Sequence, residues 1–137
     1  MATTKSAGTA SAKYVDGFVL VIQKKDVDAY KKMAKIGKQA WMKFGALDYK
    51  ECMGEDLVIK PEKGQPTLTP FTKLAKASPD DTVWFSYITF KNKKHRDQVN
   101  KDVMAYFAKK YANMKDEPMP FDPRKTAYGG FSVVVSA

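Results

Sequence analysis

Two stretches of the chain are apolar at nearly every position and have the length of a β-strand. They are residues 14–22 (YVDGFVLVI) and residues 82–90 (TVWFSYITF). A strand with one face in water alternates apolar and polar residues, whereas a strand covered on both faces is apolar throughout. The pattern therefore predicts two strands in the interior of a sheet, with a layer of protein on each side.

Two further stretches complete the predicted set of strands. Residues 46–53 (ALDYKECM) are mixed in polarity and place Tyr49 and Glu51 on the same face, which is typical of an outer strand that lines a site. Residues 126–135 (TAYGGFSVVV) contain a glycine pair. Such a pair within a strand indicates a bulge or a close approach of another group to the backbone.

A helical pattern follows the first strand and another follows the third. Residues 27–44 carry an apolar stripe beside a row of lysines, with Asp26 as the predicted N-cap and Gly45 at the predicted C-terminal cap. Asn92 is the predicted N-cap of the second helix, whose inward face begins at His95. The other residues on that face are Val99, Val103, Tyr106, Phe107 and Tyr111.

Residues 54–81 form a long segment with four prolines and no sustained periodic pattern. Loops of this length are uncommon inside a compact domain, and they often serve as lids or as arms that contact a partner. Within this loop, we predict short edge strands at residues 57–59 and 71–75.

The predicted order of elements is β-α-β, a loop, and a second β-α-β unit. This order predicts an α+β fold of the ferredoxin-like type, in which a four-stranded antiparallel sheet carries both helices on one face. Because the inner strands are apolar on both faces, a second copy packing sheet to sheet would cover the other face. We therefore expect a homodimer with the architecture of a dimeric α/β barrel. Residues 13–137 are predicted to form one domain, and residues 1–12 a flexible tail.

The composition narrows the classes of protein to consider. The chain is 44% hydrophobic and 28% charged, which is ordinary for a globular protein. Its single cysteine cannot form an internal disulfide, and this favours a cytoplasmic location. No apolar run resembles a signal peptide or has the length of a membrane span, so we expect no membrane contact.

The net charge of +9 raises the question of nucleic acid as a partner. All but two of the 24 basic residues are lysines, which lack the planar fork that suits phosphate and base edges. The third predicted strand also lacks the leading base and the glycine of the RNA-recognition pattern, and a sheet-to-sheet dimer would hide the face that stacks bases. The sequence therefore argues against a nucleic-acid partner.

Five separated motifs resemble one family. They are YVDGF at 14–18, GALDYKE at 45–51, WFSYITFKNKKHRDQVNKDVM at 84–104, MPFD at 119–122 and YGGF at 128–131. By this resemblance the chain is identified as a member of the YbaA-like family of bacterial domains of unknown function. The resemblance implies a dimeric α/β barrel and brings no established reaction. Proteins related by fold include cofactor-independent monooxygenases, lactone isomerases and dye-decolourising peroxidases, but a shared fold does not transfer chemistry.

His95 and Asp16 are the predicted catalytic residues. His95 is the only histidine and faces inward at a helix start, where the helix dipole would keep the imidazole neutral and able to accept a proton. Asp16 lies among apolar residues, where a carboxylate needs a partner, and it would orient His95 or a substrate. In the structural alternative, His95 is hydrogen-bonded within the core, and Asp16 pins the strand or the dimer by pairing with Arg96, with His95 or with a lysine of the facing subunit. Both interpretations are open at this point.

The predicted ligand-binding residues are Tyr49, Glu51, Tyr87 and Arg96. Tyr49, Glu51 and Tyr87 would present two hydroxyls and a carboxylate to a pocket between the sheet and the helices. In the alternative interpretation, Glu51 faces solvent and Arg96 forms a surface or dimer ion pair. We predict no cofactor and no metal, because no segment carries a nucleotide or metal-binding motif.

Two functions follow from these residues. One is a small, cofactor-independent enzyme that acts on an apolar, oxygen-bearing metabolite. The other is a non-catalytic small-molecule-binding or stress-associated dimer in which the same pocket holds a molecule unchanged. The sequence does not separate an enzyme from a binding protein.

Overall fold

The computed structural model of the protein describes residues 12–114 and 118–137. Apart from residue 12, the predicted tail lies outside the described residues. The strands are β1 (Tyr14–Gln23), β2 (Asp48–Met53), β3 (Asp81–Phe90) and β4 (Ala127–Ser132). The helices are α1 (Val27–Lys43), the single turn α2 (Phe71–Leu74) and α3 (Lys93–Lys110), with short 3-10 turns at Lys24–Asp26 and Pro123–Lys125.

The four strands form one antiparallel sheet in the order β2-β3-β1-β4. This order confirms the predicted ferredoxin-like α+β fold. The two strands predicted to be interior, β1 and β3, are the central pair, and they align over ten residues from Tyr14 opposite Phe90 to Gln23 opposite Asp81. The glycine pair of β4 allows a close approach, because a Cβ at Gly130 would overlap the Tyr14 hydroxyl.

Helices α1 and α3 both pack on the sheet face that carries the even-numbered residues of β1 and β3. One buried cluster joins Ala40 of α1 and Val99 of α3 to Phe90, while a second joins Tyr30 and Ala34 of α1 to Trp84. Full burial of a large apolar side chain contributes about 1.5–3 kcal/mol to stability. These contacts therefore hold the two helices on the sheet.

The other face of the sheet, which we call the open face, carries Val15, Val19, Phe85, Tyr87 and Phe131. Phe85 and Phe131 leave 50% and 61% of their surface exposed. The two-sided apolar pattern of the central strands therefore gives this molecule a broad apolar surface as well as a core.

The long loop differs from its prediction. Residues 57–59 form no strand, and residues 71–75 begin with the helical turn α2 instead of a strand. Pro70 precedes this turn in an extended conformation, and its carbonyl accepts hydrogen bonds from the N–H groups of Lys73 and Leu74. The reason is local: proline has no N–H to give to a sheet but is well suited to the start of a helix.

The predicted helix caps are confirmed at two of three positions. Gly45 follows α1 with a φ of +114°, a conformation that glycine adopts without steric cost, and Asn92 Oδ1 accepts a 2.8 Å hydrogen bond from the His95 N–H. Asp26 stands at the start of α1, but its side chain makes no capping hydrogen bond. The 3-10 turn that leads into α1 gives Asp26 a φ of −104° and a ψ of 1°, outside the extended region that side-chain capping requires.

Within the part of the chain that the structure describes, none of the helices has both the length and the apolar character needed to cross a bilayer.

Candidate functional site

A cavity of about 570 Å³ lies between the sheet and the two long helices. This volume falls in the range typical of small-molecule sites. Most of its wall is apolar, and its aromatic residues include Phe18, Tyr30, Trp41, Tyr49, Phe107 and Phe121. The cavity therefore suits a small molecule that is apolar over most of its surface.

Glu51 places a carboxylate in this apolar wall. Its Oε1 accepts hydrogen bonds from the Tyr30 hydroxyl, at 2.8 Å, and from the Ser86 hydroxyl. Its Oε2 accepts a hydrogen bond from the Tyr49 hydroxyl at 2.7 Å. Glu51 is partly buried, so its carboxylate needs hydrogen-bond donors in place of part of its water, and these three hydroxyls supply them.

Strand register and helix position bring these four residues together. Tyr49 and Glu51 are two apart on β2 and therefore project from the same face, while Ser86 lies directly opposite Glu51 on β3. Tyr30 reaches down from the first turns of α1. Gly37 of α1 leaves room for Tyr49, since a Cβ there would lie only 3.0 Å from the Tyr49 hydroxyl oxygen.

The two tyrosines next to Glu51 hold their protons tightly. Burial raises the pKa of Tyr30 and of Tyr49 far above the usual value, and the negative charge of Glu51 raises both pKa values further. Both hydroxyls therefore remain hydrogen-bond donors throughout the physiological pH range.

A second polar cluster lies beside the cavity around Asp16, which is 1% exposed. Asp16 Oδ1 accepts a 2.6 Å hydrogen bond from Arg96 Nη1, and Oδ2 accepts a 3.3 Å hydrogen bond from Asn100. Asn100 in turn accepts a 2.9 Å hydrogen bond from the indole of Trp41. This network links β1, α3 and α1, and its contacts are those of a structural tie.

His95 occupies a different position, at the junction of β3 and α3. Its Nδ1 accepts a 3.0 Å hydrogen bond from the Lys91 N–H, and its ring packs edge-on against Phe90. Partial burial and the charge of Lys91 lower the pKa of His95 below 6.5, although a hydrogen bond with the Gly45 backbone opposes this shift. The ring therefore fastens the start of α3 to the turn after α1.

Comparison with known proteins shows which family this chain belongs to. The family model described as "Protein of unknown function (DUF1428)" matches residues 13–123. The chain belongs to the DUF1428 family. It is 35% identical over 125 residues to the uncharacterized protein YbaA of Escherichia coli K12. The aligned region covers 90% of this chain and 97% of YbaA. The YbaA proteins of Escherichia coli O157:H7 and Shigella flexneri match with the same identity and coverage. The resemblance seen in the five sequence motifs is thus confirmed.

Among solved structures, this DUF1428 chain is similar to a dimeric ferredoxin-like protein from an uncultured marine organism. The two are 12% identical, with a TM-score of 0.47, and the match covers 91% of this chain and 99% of the other. The descriptions of the DUF1428 family and of YbaA name no reaction. The chemistry that this DUF1428 protein can perform therefore has to follow from its own residues.

The cavity brings together some of the predicted site residues and not others. Tyr49, Glu51 and Tyr87 are among the residues that line it. Alternation along β2 indicated this for Tyr49 and Glu51, whereas Tyr87 belongs to the odd-numbered residues of β3, whose side chains project from the open face. His95, Asp16 and Arg96 are not among its lining residues. Asp16 takes the predicted alternative of pairing with Arg96, so the structure gives His95 and Asp16 no contact with each other. A catalytic role for these two residues stays a prediction without geometric support.

Two residues of the site, Tyr30 and Ser86, were not predicted from the sequence. Ser86 is one of the few polar residues in an apolar strand, and Tyr30 carries a hydroxyl on the inward stripe of α1. These two features could have indicated polar groups facing the cavity. Neither residue is near Glu51 in sequence, so the sequence did not indicate that they contact it. Among the described residues, no three His, Cys, Asp or Glu side chains form a group that could hold a metal ion.

Proposed function

We propose that this protein binds a small, mostly apolar carbonyl compound in the cavity and that Glu51 accepts a proton from it. The observation that carries the proposal is the Glu51 carboxylate, set in an apolar wall and surrounded by three hydroxyl donors. A positioned carboxylate is a common general base, and an apolar pocket with a few convergent polar groups is the usual form of a small-molecule site.

The proposed step is a proton transfer that needs no cofactor. Glu51 takes a proton from a carbon next to the carbonyl of the ligand. The electron pair of the broken C–H bond forms a carbon–carbon double bond, and the π pair of the carbonyl moves onto its oxygen. A protonated Glu51 accepts hydrogen bonds less strongly, so the Tyr49 hydroxyl is free to donate to the oxygen on which negative charge develops. Return of the proton to another atom of the ligand completes an isomerisation.

The alternative is a binding protein in which Glu51 only anchors the polar group of the ligand. The three hydroxyls favour this alternative, because they already occupy three of the roughly four positions at which the carboxylate can accept a hydrogen bond. One position then remains for a ligand donor, and no bond of the ligand needs to change.

A deuterium-exchange experiment separates the two functions. Native mass spectrometry of protein purified from its own cells identifies the bound molecule, and a mixed set of apolar ketones and aldehydes serves as a second source of ligands. NMR in D₂O then follows exchange of the ligand C–H groups with wild-type protein, with Glu51→Gln and with the control Glu55→Gln. Glu55 lies in the exposed loop after β2.

We expect Glu51→Gln to abolish the exchange and Glu55→Gln to leave it unchanged. Exchange that persists in Glu51→Gln would reject the role given to Glu51. Ligand binding by wild-type protein with neither exchange nor turnover would favour the binding protein. Protein that is purified empty and binds none of the carbonyl compounds would reject both functions.

We also propose that the protein forms a homodimer through the open face. Exposed Phe85 and Phe131, together with Val15 and Val19, support this proposal, since large exposed apolar patches commonly mark interfaces.

The proposed dimer resides in the cytoplasm, where the single, exposed Cys52 would stay reduced. Analytical ultracentrifugation tests the dimer, and fractionation of cells tests the location.

A further inference from the structure

A second concave site lies on the outer side of Glu51. It is a groove of about 350 Å³ between α1 and the edge strand β2. Four of its nine lining residues are lysines, namely Lys31, Lys35 and Lys38 of α1 and Lys50 of β2. We call this site the lysine groove. It shares Ala34, Tyr49, Lys50 and Glu51 with the apolar cavity, so the two sites meet at the proposed reactive carboxylate.

The lysine groove concentrates like charge in one place. Spacings of four and three residues put Lys31, Lys35 and Lys38 on one side of the helix, where their charges repel each other. Within residues 12–114 and 118–137, no ion pair joins any of these three lysines to an acid, whereas Lys50 pairs with Asp48 at 2.6 Å. An anionic group in the groove would relieve the repulsion.

We infer that the ligand of the cavity is an amphipathic anion, with an apolar body in the cavity and a carboxylate or phosphate ester in the lysine groove. This inference rests on the proposed function, because it names the class of molecule that Glu51 would act on. The arrangement puts the reactive carbon of the ligand between its apolar body and its anionic group, next to the carboxylate of Glu51.

The charge of Glu51 does not cancel that of the groove. Its carboxylate is held by hydroxyls from Tyr30, Tyr49 and Ser86, which are among the residues that line the inner cavity. On the outer side, Lys31, Lys35 and Lys38 stand against this one carboxylate, and the fourth lysine, Lys50, is paired with Asp48. Lysine acts as a mobile point charge without the planar geometry of arginine, so the groove accepts either a carboxylate or a phosphate.

Matched neutral and anionic probes test the ligand class. Octanoate, octyl phosphate and octanol share one apolar body, while naphthylacetate and naphthylethanol provide a second, aromatic pair. Isothermal titration at low salt measures their affinities for wild-type protein. We expect the anionic members to bind about tenfold more tightly than the neutral members, and salt to weaken only the anionic probes.

Two triple variants with the same change in net charge complete the test. Lys31→Gln/Lys35→Gln/Lys38→Gln neutralises the α1 side of the groove. Lys24→Gln/Lys32→Gln/Lys94→Gln neutralises three exposed lysines that line neither the cavity nor the groove. We expect the first variant to lose about tenfold in affinity for the anionic probes and none for octanol, and the control to retain wild-type affinity for every probe.

Each outcome has a distinct meaning. A preference for octanoate over octyl phosphate, or the reverse, identifies which anion the groove takes. Equal binding of neutral and anionic probes, or equal losses in the two triple variants, would overturn the amphipathic-anion inference and leave the cavity as a site for neutral molecules. If no probe binds, neutral or anionic, the amphipathic-anion inference is overturned, while the proposed function is decided separately by binding and exchange of the carbonyl compounds.

Discussion

At the scale of single residues, the site depends on how Glu51 is accommodated. An isolated carboxylate in an apolar wall would lose much of its hydration, and the three hydroxyls replace the lost water. The same contacts couple Glu51 to the tyrosines, because its charge opposes their ionisation. Ionisation of the tyrosines is therefore a direct probe of the site.

Removing the charge of Glu51 should make Tyr30 and Tyr49 ionise more readily. We expect Glu51→Gln to lower the pKa of both tyrosines, although burial, which is the larger cause, will keep these values above 10.0. Ultraviolet absorbance of tyrosinate, followed as pH rises, measures the change among the seven tyrosines. Glu55→Gln serves as the control, and identical titrations of the two variants would contradict the proposed coupling.

The same coupling has a consequence for stability at alkaline pH. Above about pH 10 the unfolded chain releases tyrosine protons that folded Tyr30 and Tyr49 retain, so the free energy of unfolding should fall as pH rises. The fall should be shallower in Glu51→Gln, because its tyrosine pKa values lie closer to those of the unfolded chain. Denaturant unfolding at a series of pH values measures both slopes.

His95 gives a second prediction at the residue scale. Because folding lowers its pKa below 6.5, the folded protein binds fewer protons than the unfolded chain, and stability should decrease as pH falls through and below 6.5. NMR of this single histidine measures its pKa directly. We expect His95→Gln to weaken the pH dependence in this window and to leave ligand exchange unchanged. Loss of exchange in His95→Gln, in protein that remains folded, would restore the catalytic role.

At the scale of secondary-structure elements, the pair of Asp16 and Arg96 ties β1 to α3. The pair is well shielded from water, with 13% of the Arg96 side chain and 2% of the Asp16 side chain exposed. Removal of one partner leaves a buried charge without compensation, which typically costs about 3–5 kcal/mol. The helix α3 therefore depends on this contact as well as on the burial of Val99 and Val103.

A double-mutant cycle tests this tie. We expect Arg96→Met to lower the free energy of unfolding by about 3–5 kcal/mol. Adding Asp16→Asn should recover part of this loss, because it removes the buried carboxylate charge that Arg96 no longer compensates. Asp97→Asn is the matched control: it removes the other carboxylate that pairs with Arg96, but this one is 53% exposed, so the cost should stay below about 1 kcal/mol. Losses that simply add across the cycle would show that the pair is not coupled.

At the scale of the whole molecule, the open face is the surface through which we propose that the protein dimerises. Two helices cover one side of the sheet, and the other side presents Phe85 and Phe131 to solvent. We expect Phe85→Glu to convert the proposed dimer into a monomer, since a charge buried in an apolar interface is strongly unfavourable. Val58→Glu in the exposed loop should leave the dimer intact. Sedimentation velocity measures the mass of both, and a wild-type monomer would contradict the proposal.

Much of the fold was predictable because the relevant signals are local. Runs that are apolar at nearly every position identified the central strands from residues 14–22 and 82–90, and alternation with a period of two placed Tyr49 and Glu51 together on β2. The helix boundaries followed from single residues, with Asn92 capping α3 and Gly45 ending α1 in a left-handed conformation. Each of these features depends on the conformational preferences of a few neighbouring residues.

The site depended on contacts that no local pattern contains. Ser86 and Tyr30 are separated from Glu51 by 35 and 21 residues, and only the register of β2 against β3 and the position of α1 bring them to it. The same holds for Asp16: the sequence left Arg96, His95 and a lysine of the facing subunit as possible partners, and the packing of α3 gave the contact to Arg96. Side-chain direction is thus determined locally by the sequence, whereas the partners of Asp16 and Glu51 are decided by tertiary packing, which brings hydrogen-bond donors to both carboxylates.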